Sequence, residues 1–349
     1  MFHSLTIHSV TRETADSVAI TFDIPQDHTG EFAFLPGQYL TLRADVKGDD
    51  IRRSYSIAEG TDATMTVGVK HVEDGAFSTF AQDLAAGDTV QVMPPEGRFT
   101  CDEIGPVVLI AAGSGITPMV AIAADVLARG DEVTLIYGNR RTENIMFRAA
   151  LGNLKDKYLD KFTLIHILSR EEQDVDLLNG RVTGAKIATL ADADAVDLAG
   201  AKGIYICGPG DMIDDVAQML DTRGIDKSAV HFERFFQDGE VQRAPRSEQA
   251  TAAAQAGVAV EVILDGTRRD FSFSNDDSSL IDAAARQGIE LPFSCKGGMC
   301  CTCRCKVSEG SAEMAVNYSL EQWELDAGFT LACQTRPTSS KLVLDFDAV

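Results

Sequence analysis

No run of apolar residues reaches the roughly 18 that a membrane-spanning helix needs, so the sequence predicts no bilayer span. The opening MFHSLTIHSVTRET alternates like a β-strand and lacks the basic stretch and apolar core of a secretory leader. Basic residues are scarce: 31 Lys and Arg stand against 53 Asp and Glu, a net charge of −22. Nucleic-acid binding needs a basic surface and is excluded as a class. The acidity is general, because residues 258–349 hold 14 acids and 8 bases, a net of −6, and the remaining −16 lies upstream. Most of it reads as solubility, with docking on a basic partner as the sharper alternative. The six histidines (His3, His8, His28, His71, His166 and His231) are scattered, and none is assigned a catalytic role.

What is present is ordinary in bulk and unusual in one place. A chain of 349 residues, 45% hydrophobic and 24% charged, predicts two or three soluble globular domains. Five of the eight cysteines fall between Cys295 and Cys305. Cys295, Cys300 and Cys303 read C-x4-C-x2-C, and Cys333 follows in LACQ. That is the plant-type spacing for a 2Fe–2S cluster: three thiolates on one tight loop, and a fourth from a distant segment closing the cage. Gly297 and Gly298 let the backbone approach the sulfurs. Zinc sites pair their ligands as two CxxC motifs or with His, and a disulfide framework suits a small secreted chain. Neither describes this loop as well, although a zinc-stabilised binding module stays the alternative from another class. Cys301 and Cys305 are surplus and are expected to be small packing residues, with Cys301 a possible swapped ligand. Cys101 and Cys207 lie far from the loop, and a reducing cytoplasm fits such cysteine usage.

Three blocks follow one another. Residues 1–105 hold short alternating segments broken by Gly, Pro and Asp, which predicts an antiparallel β-barrel. Residues 106–236 alternate apolar runs (VVLIAAG, EVTLIYG, FTLIHIL, GIYICG, VHFERF) with helical stretches near 118–129, 147–155, 184–190 and 211–223, which predicts a parallel α/β sheet. Residues 237–257 carry almost no large apolar side chains and read as a flexible linker. Residues 258–349 open on two strands around Asp265-Gly266, a hairpin signal, followed by a helix near 280–287 and the cysteine loop.

Within these blocks lie candidate ligand sites. Gly113, Ser114 and Gly115 fall at a strand-to-helix turn, with Pro118 suited to the first helical turn. Backbone N–H groups there can receive a pyrophosphate, although glycines at a tight turn are also merely structural. Cys207, in CGPGDM, ends the fourth parallel strand and points toward the same crevice, or is simply a buried cysteine before a Gly-Pro turn. Arg53 and Tyr55 share a strand face by period two, a phosphate clamp beside a stacking ring or else an exposed half-strand.

The set Arg53-Ser54-Tyr55-Ser56, Gly75-Ala76-Phe77-Ser78, GSGITP and CGP, in that order, resembles the ferredoxin–NADP reductase superfamily. The C-terminal block makes the whole chain similar to its oxygenase-reductase branch. FHSLT, LIYGNR, MFR, LKDKY, HFERF, CKGGMCCTCRCKV, NYSLE and DFDA resemble the reductases of phenylacetyl-CoA epoxidation within that branch. The resemblance implies an FAD-binding β-barrel, an NAD(P)-binding α/β domain and a β-grasp 2Fe–2S ferredoxin domain. It implies that Arg53 binds the flavin pyrophosphate, Tyr55 stacks on the isoalloxazine, and Ser56, flanked by Ser54, lies near flavin N5. Val69 and Lys70 would line the flavin, and the loop Gly75, Phe77, Ser78 would hold its phosphates. Gly113, Ser114, Gly115 and Thr117 would cradle the nicotinamide dinucleotide, and Cys207, Gly208 and Pro209 would border its ring. Ser56 and Cys207 are thus the catalytic candidates.

Ser169 and Arg170, with Arg140, follow parallel strands where such enzymes read the adenosine ribose. A hydroxyl and guanidinium suit a 2′-phosphate, hence NADPH over NADH, with Glu171 and Glu172 mildly contrary. Some relatives with iron–sulfur domains use FMN, and FAD follows from the epoxidase-type resemblance. Ala112 stands where many relatives have Gly, a departure of little consequence, and Lys296 and Cys301 stand where plant ferredoxins often carry Arg and Ser, which touches the cluster's potential rather than its type. The implied function is electron transfer from NADPH through FAD and a 2Fe–2S cluster to an oxygenase, foremost a di-iron epoxidase complex acting on phenylacetyl-CoA. A Rieske-type hydroxylase or a hybrid-cluster protein is the alternative acceptor.

Overall fold

The computed structural model describes residues 2–235 and 244–348, which form two compact units divided at Phe235 and Phe236. No helix among the described residues is long and apolar enough to cross a membrane.

The first unit opens with a closed barrel. Its elements are β1 (His3–Thr14), β2 (Ser17–Asp23), β3 (Tyr39–Val46), β4 (Asp49–Gly60), β5 (Thr64–Lys70), α1 (Ala76–Gln82) and β6 (Thr89–Val92). The strand order is β1-β2-β5-β4-β3-β6, all antiparallel. Alternation drives the closure: Leu5 and Ile7, Ile20 and Phe22, Leu40 and Leu42, and Val67 and Val69 all turn inward and are buried. Each such side chain contributes about 1.5–3 kcal/mol of burial free energy, and closure leaves no edge strand.

The same unit continues with β7 (Val107–Ala112), α2 (Ile116–Arg129), β8 (Val133–Asn139), α3 (Arg148–Lys157), β9 (Phe162–Leu168), α4 (Gly184–Asp192), β10 (Gly203–Gly208), α5 (Gly210–Thr222) and β11 (Val230–Arg234). They build a five-stranded parallel sheet in the order β11-β10-β7-β8-β9. The central strands are apolar on both faces because helices cover both: Leu109 lies with the α2 core, and Val108 and Ile110 lie with the α4–α5 core. Helix α2 ends at Gly130, whose left-handed φ of +93° lets its N–H reach back to Leu127 and Val126. Ala19 and Ala58 of the barrel share the α2 core, and a side chain at Gly37 would strike Phe99 O and the Ile122 side chain. Barrel and sheet therefore pack closely, with α2 against the strand that carries Arg53 to Ser56.

The second unit holds α6 (Glu248–Ala256), β12 (Val258–Leu264), β13 (Thr267–Phe273), α7 (Leu280–Arg286), β14 (Arg304–Glu309), β15 (Ala312–Met314), α8 (Gln322–Asp326), β16 (Phe329–Leu331), β17 (Thr335–Pro337) and β18 (Lys341–Asp345). Its main sheet runs β13-β12-β18-β14-β16, with β12 and β18 parallel, and α7 packs on β13. The hairpin forms at Asp265-Gly266, both with left-handed φ (+51° and +69°), the geometry a two-residue type I′ turn demands.

The stretch 237–257, expected as a linker, differs in its second half. Residues 236–243 lie outside the described residues. Residues 248–256 form α6, capped by the Ser247 hydroxyl accepting from Ala250 N–H, with Ala250 and Ala254 buried. Ala244 also bonds Ala315 and Arg336, so this segment belongs to the second unit. The reason is physical: alanines are strong helix formers and bury a small apolar face without large side chains.

Candidate active site and cluster loop

In the first unit the site forms where β4 meets the carboxyl ends of β7, β10 and β11. Strand β7 runs into a 3-10 turn, Gly113–Gly115, and then directly into α2. Gly113 has a left-handed φ of +56°, and a Cβ built there would have open space around it. Its carbonyl accepts from the Tyr137 hydroxyl of β8 at 3.0 Å, which fixes the turn. Gly115 is different. A Cβ there would fall 2.2 Å from Cys207 O and 2.9 Å from Gly208 N. The two glycine motifs therefore touch through their main chains, and only glycine permits it. Thr117, buried, donates to Ser114 O at 2.8 Å and stiffens the same turn. Pro209 is the residue before α5, so its missing N–H costs no helical bond.

Ser56 is buried and donates its hydroxyl to Glu233 Oε2 at 3.2 Å. Glu233 sits in register with Cys207 on the neighbouring strand. Burial pushes the Glu233 carboxyl up to about 8, against the opposing pull of the Ser56 hydrogen bond. Cys207 is fully buried, and burial, then the Glu233 charge, hold its thiol far above the ordinary range. It is a neutral thiol whose main chain seats Gly115. Glu233 lies within HFERF, and the sequence alone assigns it no role. The signal that could have found it is an acid ending an apolar parallel strand, two strands from the glycine turn.

Arg53 and Tyr55, two apart on β4, are both half-buried, and the Tyr55 ring lies 5.6 Å from that of Phe77. A guanidinium beside a half-buried ring suits a diphosphate joined to a flat heterocycle. Three expected contacts take a different form. Val69 is fully buried in the barrel core, so its side chain does not line an open site. Lys70 pairs with Asp16 at 3.5 Å. Phe77 is 1% exposed, inside the barrel core, and the Ser78 hydroxyl accepts from Val72 N–H and donates to Gly75 O. The loop's buried side chains thus support the loop itself.

At the ends of β8 and β9 the ladder continues as Ser169 N–H to Asn139 O and Arg170 N–H to Arg140 O, 2.9 and 2.8 Å. Arg140 and Arg170 are both exposed and stand side by side. Glu171 accepts from Thr142 N–H (2.8 Å) and Oγ1 (2.6 Å), bonds that hold its carboxyl below the usual range.

In the second unit, Cys295, Cys300, Cys303 and Cys333 converge. Cys295 shares a hydrogen bond with Cys300, and Cys303 with Cys333, while charge on Cys300 acts on Cys303 and charge on Cys295 acts on Cys333. Main-chain N–H groups of Gly297, Met299 and Cys300 point at the Cys295 sulfur, the first at 3.3 Å. The Cys300 bond and these N–H groups lower Cys295 to about 6, while Cys300 is raised by the same shared bond. Gln334 Nε2 donates to Cys333 Sγ at 3.5 Å and to Lys296 O at 2.7 Å. Lys296 and Gly298 adopt left-handed φ, +48° and +77°, which wraps the loop around its sulfurs. Four sulfurs ringed by N–H donors fit a cluster that carries negative charge. Cys305 is fully buried and its thiol is raised by burial, and Cys301, half-buried with φ +58°, packs on the apolar core.

Residues 4–101 match the oxidoreductase FAD-binding domain, 109–218 the oxidoreductase NAD-binding domain, and 262–338 the 2Fe–2S iron–sulfur cluster binding domain. The chain is 43% identical to a component of the 1,2-phenylacetyl-CoA epoxidase of Escherichia coli (strain K12), over 99% of this chain and 98% of that relative. It is 36% identical to the ferredoxin reductase component of 3-ketosteroid-9-alpha-monooxygenase of Rhodococcus rhodochrous, over 98% and 96%. The chain belongs to the ferredoxin–NADP reductase-like oxidoreductases that join FAD-, NAD- and 2Fe–2S-binding domains. Phthalate dioxygenase reductase has the same fold, with a TM-score of 0.58 at 24% identity over 99% of this chain and 98% of that one. The expected three-part architecture is borne out.

Proposed function

We propose that this reductase takes electrons from NADPH and delivers them to an oxygenase, the di-iron epoxidase of phenylacetyl-CoA. The observation that carries the crevice is the seating of Gly115 on the Cys207–Gly208 main chain beside the Ser56–Glu233 pair. When bound, FAD couples two-electron to one-electron chemistry and the 2Fe–2S cluster carries single electrons.

The chain's own residues supply binding and electrostatics. Arg53 clamps the flavin diphosphate and Tyr55 covers the ring. Ser56 stands at the reacting face with its proton directed to Glu233. At neutral pH Glu233 holds a proton, so no fixed negative charge there repels an anionic dinucleotide. Gly113 and Ser114 offer main-chain N–H groups to a pyrophosphate, and Thr117 rigidifies the cradle. Cys207, with Gly208 and Pro209, forms the wall beside the nicotinamide. Arg140 and Arg170, with Ser169, receive the ribose 2′-phosphate, and Glu171 is held against Thr142. Cys295, Cys300, Cys303 and Cys333 hold the cluster.

The substrate reading is supported by 43% identity to the epoxidase component along the whole chain. The test combines the holoprotein with the epoxidase, phenylacetyl-CoA and either NADPH or NADH. Expected is oxygenated thioester, formed with a lower KM for NADPH. Turnover only with another acceptor, such as a Rieske-type hydroxylase or the ketosteroid monooxygenase suggested by the 36% relative, would overturn the epoxidase assignment.

A further inference from the structure

Two histidines and a carboxylate meet on the outside of the barrel, away from every residue assigned above. His3 begins β1, where it pairs with Val92 of β6. His28 ends a 3-10 turn, Gln26–His28, in the connection between β2 and β3. Phe32 N–H bonds His28 O at 3.0 Å, which continues a helical turn and puts His28 and Glu31 on one face. Phe32 is 2% exposed and anchors that turn in the barrel core, with the His3 ring edge-on to it at 5.5 Å. The frame is therefore rigid.

The side chains converge on one oxygen. His3 Nε2 lies 3.0 Å and His28 Nδ1 3.5 Å from Glu31 Oε2. One ligand atom from each of the three residues lies within 4.8 Å of the others. The two imidazoles are inclined at 65° with centroids 4.4 Å apart, so they do not stack face to face. Tetrahedral zinc with bonds of about 2.0–2.2 Å holds its ligand atoms roughly 3.3–3.6 Å apart. The 3.0 and 3.5 Å separations are close to that spacing already, so a cation could be bound with little movement of these atoms. Two imidazole nitrogens and one carboxylate oxygen favour Zn2+ and its first-row neighbours over Mg2+ or Ca2+. Glu31 is exposed, which leaves a fourth position open to water. The chain's net charge of −22 draws cations to the surface.

We infer that His3, His28 and Glu31 form a binding site for a zinc-class divalent cation that ties the first strand of the barrel to the β2–β3 connection. It is a clamp rather than a redox centre. Binding to the folded barrel alone stabilises it by mass action.

The test uses the flavin- and cluster-loaded protein, whose cluster cysteines are occupied by iron. Protein is incubated with ZnCl2 in the low micromolar range and desalted, and zinc per chain is measured by plasma mass spectrometry. Thermal unfolding is followed in parallel by flavin release. Wild type is expected to retain one zinc and to melt higher with zinc than without. His28→Ala and Glu31→Gln, both outside the cofactor site, are expected to lose that zinc and the rise in melting temperature while keeping flavin and iron. If wild type retains no zinc, the inference fails. It also fails if both variants keep as much zinc as wild type, which would place the metal on thiols such as Cys301. Should His28→Ala lose its flavin, Glu31→Gln, which keeps the shape of the side chain, decides alone.

Discussion

Ser56 and Glu233, 177 residues apart in sequence, are joined by one hydrogen bond of 3.2 Å. The bond ties the flavin-side strand of the barrel to the edge strand of the nucleotide sheet. It also places a carboxyl whose protonation is shifted into the working pH range at the point where the two halves meet.

A pH dependence follows from that carboxyl. Its folded value, about 8, lies above the ordinary 4.5 because burial disfavours the charge. Between those values the folded chain holds a proton that the unfolded chain has released. Stability contributed by Glu233 is therefore present below the unfolded value and is lost as pH rises toward about 8. Flavin reduction by NADPH, followed by stopped flow, is expected to change through a single transition near pH 8. Glu233→Gln keeps an uncharged hydrogen-bonding group, so its profile is expected to be flat there. A wild-type profile with no inflection between about pH 7 and 9 would remove Glu233 from the reaction.

The glycines of the turn are expected to separate. Gly115→Ala drives a methyl into the Cys207 carbonyl, with backbone on both sides unable to yield. It is expected to cost about 1–3 kcal/mol of stability, the range for overpacking, and to raise the KM for nucleotide at least about tenfold, about 1.4 kcal/mol. Gly113→Ala meets open space and suffers only its left-handed φ, about 1–2 kcal/mol. Nucleotide titrations of both variants check the separation, and an equal rise in KM would contradict it.

The legible parts of this molecule are those that depend on neighbours in sequence. Cysteine spacing, the Asp265-Gly266 turn and the doubly apolar runs of β7 and β10 are local patterns with one physical solution. The closed order of the barrel and the order of the parallel sheet are not legible, because they depend on which strand faces which. Val69 and Phe77 show the limit well. A sequence motif marks a segment near a ligand, but whether a side chain points to the ligand or to the core is fixed by the barrel's pleat. Glu233 escapes for the same reason, since its partner Ser56 comes close only in three dimensions. Helix α6 escapes differently: a lack of large apolar residues reads as flexibility, while Ser247 before an alanine-rich stretch is a helix start.

The proposed preference for NADPH can be tested at two exposed guanidinium groups, Arg140 and Arg170. If Arg170 reads the 2′-phosphate, Arg170→Ala removes a charge-assisted contact worth about 1.5–3 kcal/mol. The KM for NADPH is expected to rise about ten- to hundredfold, with the KM for NADH nearly unchanged. Arg140→Ala should act in the same direction. Equal losses for both coenzymes would mean that the pair does not read the 2′-phosphate.

Half-buried Arg304 and buried Glu324 make an ion pair beside the cluster loop. Glu324 is 0% exposed, accepts from Arg304 Nε at 2.7 Å, and also accepts from Glu321 N–H as part of the α8 cap. The Arg304 guanidinium lies over the Phe329 ring at 3.6 Å. Arg304→Ala leaves a buried carboxylate without its cation and is expected to cost about 3–5 kcal/mol. Loss of cluster absorbance at a lower denaturant concentration, with flavin unaffected, is the expected reading.

Gln334 offers the most direct control of electron delivery. Its amide N–H reaches the Cys333 sulfur and the Lys296 carbonyl from a side chain that is 2% exposed. A donor to sulfur favours the reduced, more negative state of a cluster, so removing it lowers the potential. One such bond is worth about 1 kcal/mol, and a one-electron couple moves about 59 mV per tenfold change, which together give a fall of about 40 mV. Gln334→Leu, close in volume, is the variant of choice, and a redox titration followed by electron paramagnetic resonance gives the value. Flavin reduction by NADPH should be unchanged while electron arrival at the cluster slows. An unchanged or higher potential would show that the Gln334 amide does not act on the cluster through Cys333.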